Sequence, residues 1–315
     1  MPSSISSSDR AQVAPAPAGL LVLLRGFVLT LLLLVAATEM LVRMQVLPQD
    51  TRVGHLDLLH TATHADAAFG DSHVARGFAA QGDFVNLAYP SENIEDMFAK
   101  VRLHYADRTP GRVVIQADPH LFAAYRLFAS SKPAGAQFRS GSTPLLHLTS
   151  ERHRPQLVAY WQAFLEGFGT LESKVNQTPN GALLSQGDFA ALPDRAQQLE
   201  ARTRLTYHAL GPADAVVAAQ ARYTEMIDFL RAKGADICLV SFPVTRAYLA
   251  TTRDAQSGHQ RATEFFRQTA GNTGARYVDA RAHVSSDALF RDVDHLNVAG
   301  AKAFYTDLVD LCFDE

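Results

Sequence analysis

Hydrophobic and polar positions follow two different patterns along this chain. From residue 19 to residue 42 the apolar positions form a nearly unbroken run, centred on Leu31–Val35. After residue 66, short apolar runs alternate with longer segments whose apolar residues recur every three or four positions. The first pattern is long enough for a helix that crosses a bilayer, and the second predicts strands that alternate with amphipathic helices.

Alternating strands and helices predict a three-layer α/β fold, in which a parallel sheet carries helices on both faces. Ser91 is the predicted N-cap of the first of these helices. The predicted strands are 66–69, 84–87, 112–116, 237–242 and 276–279, and the predicted helices are 92–105, 213–233, 260–270 and 299–312.

The segment from about residue 125 to residue 210 breaks this alternation. It contains a predicted helix at Gln156–Asn176, followed by a polar stretch rich in Asn, Gln and Gly. We interpret this segment as a helical insertion within a single domain. That domain spans residues 66–315, and a linker at residues 43–65 joins it to the apolar run. The insertion either caps the functional site or packs on the edge of the sheet.

The N-terminal region has the features of a membrane anchor. Residues 1–18 are rich in Ser, Pro and Ala and predict a disordered cytoplasmic tail. Residues 19–42 predict an uncleaved transmembrane signal anchor, with Arg25 close enough to the cytoplasmic end for its side chain to reach the membrane surface. A cleaved signal peptide is the alternative, because Val35–Ala37 suits a signal peptidase.

Composition excludes several classes of function. The chain has 315 residues, 47% of them hydrophobic, and its net charge of −3 without a basic run argues against nucleic-acid binding. Its two cysteines, Cys238 and Cys312, predict neither a disulfide framework nor a zinc site, and Cys238 is expected to be a small buried apolar residue. No glycine-rich phosphate loop follows a strand, so no nucleotide or other cofactor is predicted.

Two short polar segments hold the parts of a nucleophilic serine site. Gly70-Asp71-Ser72-His73 follows the first predicted strand, and Asp292-Val293-Asp294-His295 precedes the last helix. A serine hydroxyl needs a base, for which His295 is the best candidate, and Asp292 is placed to orient its imidazole. Asp294 competes with Asp292 for that role. Ser72 also offers its backbone N–H as an oxyanion donor.

These segments make the chain resemble the SGNH (GDSL-like) hydrolase superfamily, whose fold is a flavodoxin-like parallel sheet. Asp71 and Ser72 match the first block of that family, and Asp292 with His295 matches the last. In the second block Ala88 stands where the family has a glycine that donates an oxyanion N–H. The third block lacks its asparagine, since Gln116-Ala117-Asp118 stands there, which leaves Asn93 or Gln116 as the substitute donor.

The membrane anchor and these departures are similar to a membrane-anchored branch that takes part in bacterial exopolysaccharide O-acetylation. The resemblance implies serine-dependent acyl transfer to, or esterase action on, an envelope polysaccharide. It also implies an acyl donor delivered by a membrane-bound O-acyltransferase, and an inner-membrane protein whose domain faces the periplasm. The alternatives are a non-catalytic anchored module that binds polysaccharide or an assembly partner, and a cytoplasm-facing lipase.

The remaining histidines allow more than one interpretation. His73 either lines the pocket with Asp71 or lies at the surface, and His120 either binds substrate or is a hydrogen-bonded structural residue. A metal site made of His73, His120 and His295 is not predicted, because their spacing matches no ligand motif. The linker histidines are expected to be solvated; they are His55, His60 and His64.

Overall fold

The structure is a computed structural model that describes residues 18–46, 51–128, 158, 161–162, 165, 175–254 and 258–314. The predicted tail and most of the predicted helix at Gln156–Asn176 lie outside these residues, but Val175 and Asn176 form part of a strand rather than a helix. Elements are numbered below over the described residues only.

A five-stranded parallel sheet lies at the centre of the domain. Along the sheet the order is β2-β1-β3-β6-β7, which is the flavodoxin-like order once a separate antiparallel hairpin, β4 with β5, is set aside. The predicted α/β fold class is therefore confirmed. The strands are β1 (Asp66–Phe69), β2 (Phe84–Asn86), β3 (Arg112–Gln116), β4 (Val175–Gln177), β5 (Leu183–Ser185), β6 (Asp236–Ser241) and β7 (Arg276–Asp279).

Helices occupy both faces of this sheet. Asn93, not Ser91, is the N-cap of α4, because its side chain accepts a hydrogen bond from Asp96 N. The helices are α1 (Ala18–Leu41), α2 (Thr51–Thr61), α3 (Ser72–Gly77), α4 (Ile94–His104), α5 (Ala124–Leu127), α6 (Asp194–Tyr207), α7 (Ala213–Ala232), α8 (Arg246–Asp254), α9 (His259–Thr273) and α10 (Val298–Phe313).

Alternate residues of the central strands point into two separate cores. In β3, Val114 packs in the core beneath α3 and α10, whereas Val113 and Ile115 pack against α4, α7 and α9. Strands buried on both faces read as continuous apolar runs, which is why the sequence locates them so closely. The sheet is thereby fixed from both sides, and the loops at the carboxyl ends of its strands are held at one edge.

The two cysteines correct a prediction. Cys238 in β6 and Cys312 in α10 form a disulfide, with their Cα atoms 5.6 Å apart. Cys238 is fully buried, as expected, but it is a half-cystine rather than a free apolar side chain. The bond ties the last helix to the middle of the sheet.

The N-terminal helix α1 has the length and composition of a membrane span. Within the described residues it is the one such helix, with a mean hydropathy of 2.0 over Val22–Gln45. Most of its apolar side chains are exposed, Leu23 by 72%. A signal sequence has the same properties, so the choice between an anchor and a cleaved signal stays open.

Helix α2, which lies within the predicted linker, packs on α4. His55 on α2 is buried, so the expectation that it is solvated is wrong. Its Nε2 lies 3.1 Å from the fully buried Nζ of Lys100, which also pairs with Glu92 at 2.5 Å and donates to Leu87 O. This buried group lies directly below the loop that follows β2.

Candidate active site

The loop after β1 places Ser72 at the carboxyl edge of the sheet. Asp71 caps α3, since its side chain accepts a hydrogen bond from His73 N at 2.9 Å, and Ser72 is the first residue of that helix. Gly70 is required by close approach, because a Cβ there would collide with Val74 and would lie 2.7 Å from Gln116 Oε1. The turn is therefore packed against both the helix and β3.

Ser72, His295 and Asp292 form a continuous chain of hydrogen bonds. Ser72 Oγ lies 2.9 Å from His295 Nε2, and His295 Nδ1 lies 2.7 Å from Asp292 Oδ1. The same carboxylate oxygen accepts from the backbone N–H of His295 at 3.0 Å, which fixes the loop before α10. The arrangement is that of a nucleophile, a base and a carboxylate that orients the base.

Asp294 provides a second carboxylate beside the same imidazole. Its Oδ1 lies 3.2 Å from His295 Nδ1, close enough for an ion pair, although it falls outside hydrogen-bond geometry. Asp292 therefore accepts the hydrogen bond, and Asp294 acts on His295 mainly through its charge. Asp294 is fully buried, whereas the Asp292 side chain is 21% exposed.

A buried polar network supports the nucleophile from below. Asp71 accepts from Gln116 Nε2 at 2.9 Å, lies 2.9 Å from His120 Nε2 and is paired with Arg126 Nη2. Burial would raise the pKa of the Asp71 carboxyl, but Arg126 and His120 hold it well below its usual value. Burial lowers the pKa of His120 despite the neighbouring Asp71. The predicted site residues Asp71, Gln116 and His120 thus form the support of Ser72.

His73 is buried between two carboxylates and does not lie at the surface. Its Nδ1 lies 3.0 Å from Asp118 Oδ2 and its Nε2 lies 3.3 Å from Asp294 Oδ2. Burial by itself would lower the pKa of this imidazole, but Asp118 and Asp294 together raise the pKa to about 10. The net shift is the opposite at His208, where burial outweighs the attraction of Asp294 and lowers the pKa well below its ordinary value.

A cavity of about 390 Å³ opens above Ser72 and His295. His73 and His120 line it, so both predicted histidines reach the site. The inserted segment contributes one wall, because α6 and the residue after it supply lining side chains, so the described part of the insertion borders the site. Lining residues that the sequence analysis missed include Ser91, Tyr125, Arg126, Glu200, Thr203, Arg204, Tyr207 and His208.

These missed residues differ in how visible they are in the sequence. Tyr125 and Arg126 follow the turn after β3, at the functional edge of the sheet, so their position gave a usable signal. Arg204 and His208 gave none, because α6 is a polar helix with a single buried residue, Ala201, and the strand before it, β5, belongs to the separate hairpin rather than to the parallel sheet.

The predicted oxyanion donors are mostly engaged elsewhere. Ala88 N donates to Asn86 Oδ1 at 3.0 Å, Asn93 caps α4 and lines a different cavity, and Gln116 Nε2 donates to Asp71 Oδ1 at 2.9 Å and to Asp118 Oδ2 at 2.8 Å. Ser72 N–H is the exception, because the first helical N–H has no acceptor within its own helix. It is therefore the donor best placed for an oxyanion.

Among the residues that the structure describes, two sets of side chains have donor atoms within 4.8 Å of one another, as a metal ion would need. They are His73 with Asp294 and His295, and His73 with Asp118 and His120. His73 belongs to both sets, and its two ring nitrogens already face carboxylates at 3.0 and 3.3 Å. A protonated imidazole has no free lone pair for a metal, so neither set fits a cation well.

Comparisons with known proteins identify no family. No family model matches the chain, and no curated protein matches it. A solved structure from Streptococcus pneumonia, provisionally described as a platelet activating factor, is similar with 12% identity and a TM-score of 0.41, over 94% of this chain and 99% of that one. A likeness this distant carries no argument about function.

Proposed function

We propose that this protein is a serine-dependent acyltransferase or esterase of the SGNH type. The observation that carries the proposal is the chain from Ser72 Oγ to His295 Nε2 at 2.9 Å and from His295 Nδ1 to Asp292 Oδ1 at 2.7 Å. The three residues come from opposite ends of the domain, and two of them, Ser72 and His295, line a cavity large enough for an acyl group and part of an alcohol. The flavodoxin-like strand order is consistent with the SGNH resemblance.

In the first half of the reaction, Ser72 Oγ attacks the ester carbonyl carbon while His295 Nε2 takes the hydroxyl proton. Asp292 stabilises the imidazolium that forms. Ser72 N–H donates to the oxyanion of the tetrahedral intermediate. When the intermediate collapses, the bond between the carbonyl carbon and the leaving oxygen breaks. The leaving oxygen then takes from His295 the proton that Ser72 gave up.

In the second half, an acceptor hydroxyl attacks the acyl group on Ser72. His295 takes the proton of that hydroxyl and returns it to Ser72 Oγ as the new ester leaves. A sugar hydroxyl as acceptor gives transfer, and water gives hydrolysis. Transfer requires the site to hold the sugar better than it holds water.

We propose that the acceptor is an envelope polysaccharide and that the domain faces the periplasm. Two observations support this placement. Helix α1 is long and apolar enough to anchor the chain in the inner membrane, and the Cys238–Cys312 disulfide is typical of an oxidising compartment. The acyl donor would then come from the membrane side, for example from a membrane-bound O-acyltransferase.

A chromogenic acetyl ester, supplied with and without an acetyl-free oligosaccharide, tests this function. The full-length protein in detergent should release the chromophore, and the oligosaccharide should gain acetyl groups that mass spectrometry detects. Ser72→Ala should abolish both. Equal release by Ser72→Ala and by the unaltered protein would remove the proposal.

A non-catalytic polysaccharide-binding module is the second candidate. The engagement of Ala88 N–H and of the Gln116 amide favours it, since the oxyanion site then has few donors. On this alternative, Ser72→Ala leaves polysaccharide binding and acetylation in cells unchanged. On the catalytic proposal, the same variant loses acetylation while it still binds polysaccharide.

A further inference from the structure

Three buried ionisable groups continue the catalytic chain beyond His295. Asp294 touches His295 Nδ1 through Oδ1 at 3.2 Å and His73 Nε2 through Oδ2 at 3.3 Å. His73 in turn reaches Asp118 at 3.0 Å. All three side chains are at least 97% buried, so their charges act on one another with little screening by water. The order is therefore His295, Asp294, His73, Asp118.

Within this chain, Asp294 and His73 carry opposite charges. Burial works against an ionised Asp294, but His295 and His73 hold the pKa of its carboxyl well below its usual value. The His73 ring centroid lies only 5.0 Å from that of His295. His295 is thus flanked by the carboxylates of Asp292 and Asp294, and the His73 imidazole lies on the far side of Asp294, at 3.3 Å.

Every packed element contributes a charged or titratable group to this environment. From its own loop, His295 faces Asp292 and Asp294, and Arg291 lies 4.0 Å from Asp292. From α6 and the residue after it, Arg204 and His208 approach Asp294 at 3.5 and 3.6 Å. Helix α3 supplies His73 and Arg76, and the loop after β3 supplies Asp118 and His120.

We propose that His73 is a positioning residue: its buried cation holds Asp294 against the Nδ1 edge of His295 and offsets the charge of that carboxylate. Two carboxylates can then lie beside His295 without making its protonated form so stable that it no longer releases the proton. This inference rests on the proposed function, because His295 must release and accept a proton for the arrangement to matter. It assigns a catalytic purpose to the histidine that follows the nucleophile.

The proposal predicts opposite effects for two variants. His73→Gln removes the cation but keeps an amide that can donate to Asp294, so a proton on His295 is held more tightly. The acidic limb of the pH–rate profile should move to higher pH by roughly one to two units. Asp294→Asn removes the nearby anion and should move the same limb to lower pH. A merely structural role for His73 would lower the rate equally at every pH and leave the midpoint in place.

The test uses the full-length protein in detergent and a fluorophosphonate that labels an activated serine. The rate at which Ser72 is labelled is measured against pH for the unaltered protein, His73→Gln and Asp294→Asn. His283→Gln is the matched control, because His283 also pairs with a carboxylate, Asp307 at 2.9 Å, but lies 34% exposed away from the site. Its profile should coincide with that of the unaltered protein.

A second measurement does not depend on the reaction of Ser72 with the fluorophosphonate. The ¹⁵N shifts of labelled histidines, with the His73 signal assigned by its loss in His73→Gln or from backbone assignments, should report a protonated His73 at pH 8. A neutral His73 at that pH overturns the inference, as does an unmoved labelling midpoint in a folded His73→Gln. Failure of the unaltered protein to label at Ser72 at any pH contradicts instead the proposed function itself. If His73→Gln does not fold, a charged His73 together with a lowered midpoint in Asp294→Asn supports the inference.

Discussion

At the scale of single residues, Asp292 and Asp294 have different relations to the same imidazole. Asp292 accepts the hydrogen bond from His295 Nδ1 at 2.7 Å and also holds the loop through the His295 N–H. Asp294 Oδ1 lies outside hydrogen-bond geometry with His295. The other oxygen of the same carboxylate, Oδ2, faces His73 Nε2 at 3.3 Å, and the charge of His73 offsets that of Asp294. On the proposed function, Asp292 is therefore the carboxylate that orients the base, and Asp294 modifies the charge that the base experiences.

Asp292→Asn should lower kcat/KM for an acetyl ester by roughly 10²- to 10⁴-fold, since an amide cannot fix the required tautomer of His295. Asp294→Asn should cost less at the pH optimum and should shift the profile. Steady-state kinetics across pH separates the two. A larger loss of kcat/KM for Asp294→Asn than for Asp292→Asn at every pH would mean that Asp294, and not Asp292, orients His295.

Stability should fall as pH rises from about 6.5 towards 10, because the pKa of His73 is about 10 in the folded protein and near 6.5 when it is unfolded. The folded state binds the extra proton throughout this window. The stabilisation is complete below the unfolded pKa and is lost as pH passes through the folded one. Urea unfolding at several pH values measures it, and His73→Gln should flatten the slope. An equal slope in a folded His73→Gln would assign the loss to other groups.

At the scale of elements, the sequence located what is buried on both sides and missed what is polar. The strands Asp66–Phe69 and Arg112–Gln116 have the predicted bounds, because central parallel strands read as apolar runs. Ser72 was found because it follows the strand Asp66–Phe69, and Asp292–His295 was found because it precedes the last helix. Helix α6 carries too little apolar surface to reveal which way it faces. The Asp118–His73–Asp294 chain joins residues that only the folded loops bring together.

The buried Lys100 offers a test of how α2 and α4 support the loop after β2. Lys100→Met should destabilise the protein by about 3–5 kcal/mol, because it removes the cation paired with the buried Glu92 carboxyl and the donor to the Leu87 carbonyl, and the Tyr89 N–H at 3.3 Å from Glu92 Oε2 cannot replace that charge. Chemical unfolding in detergent gives the free energy.

Arg267→Met is the matched control for that experiment. Arg267 also pairs with a glutamate, Glu264 at 2.5 Å, but both side chains are at least half exposed. Exposed pairs contribute little, so this variant should lose less than about 1 kcal/mol. Equal losses in the two variants would mean that the buried position of Lys100 has no special importance.

At the scale of the whole molecule, the apolar helix α1 and the disulfide both support the proposed location outside the cytoplasm. Helix α1 is suited to a membrane, and the Cys238–Cys312 bond joins residues 74 positions apart. The sequence could not reveal this pair, because nothing in the spacing of two distant cysteines indicates that a strand and the last helix bring them together. A bond of this kind persists where thiols are not kept reduced.

Protein purified from the cell envelope should contain no free thiol when it is denatured without a reductant and treated with an alkylating agent. The double variant Cys238→Ala/Cys312→Ala should be less stable by about 2–4 kcal/mol, because closing a long loop restricts the unfolded chain. Mass spectrometry of alkylated peptides and thermal unfolding measure the two effects. Full alkylation of both cysteines would place the domain in a reducing compartment.

The central claim is that Ser72 carries the acyl group. The direct measurement mixes the full-length protein with an activated acetyl ester, stops the reaction with acid within the first turnover and determines the mass of the peptide that contains Ser72. We predict that this peptide gains the mass of one acetyl group on Ser72, and that His295→Ala gains far less. An acetyl group found only at other residues, with ester cleavage unchanged in Ser72→Ala, would contradict the account.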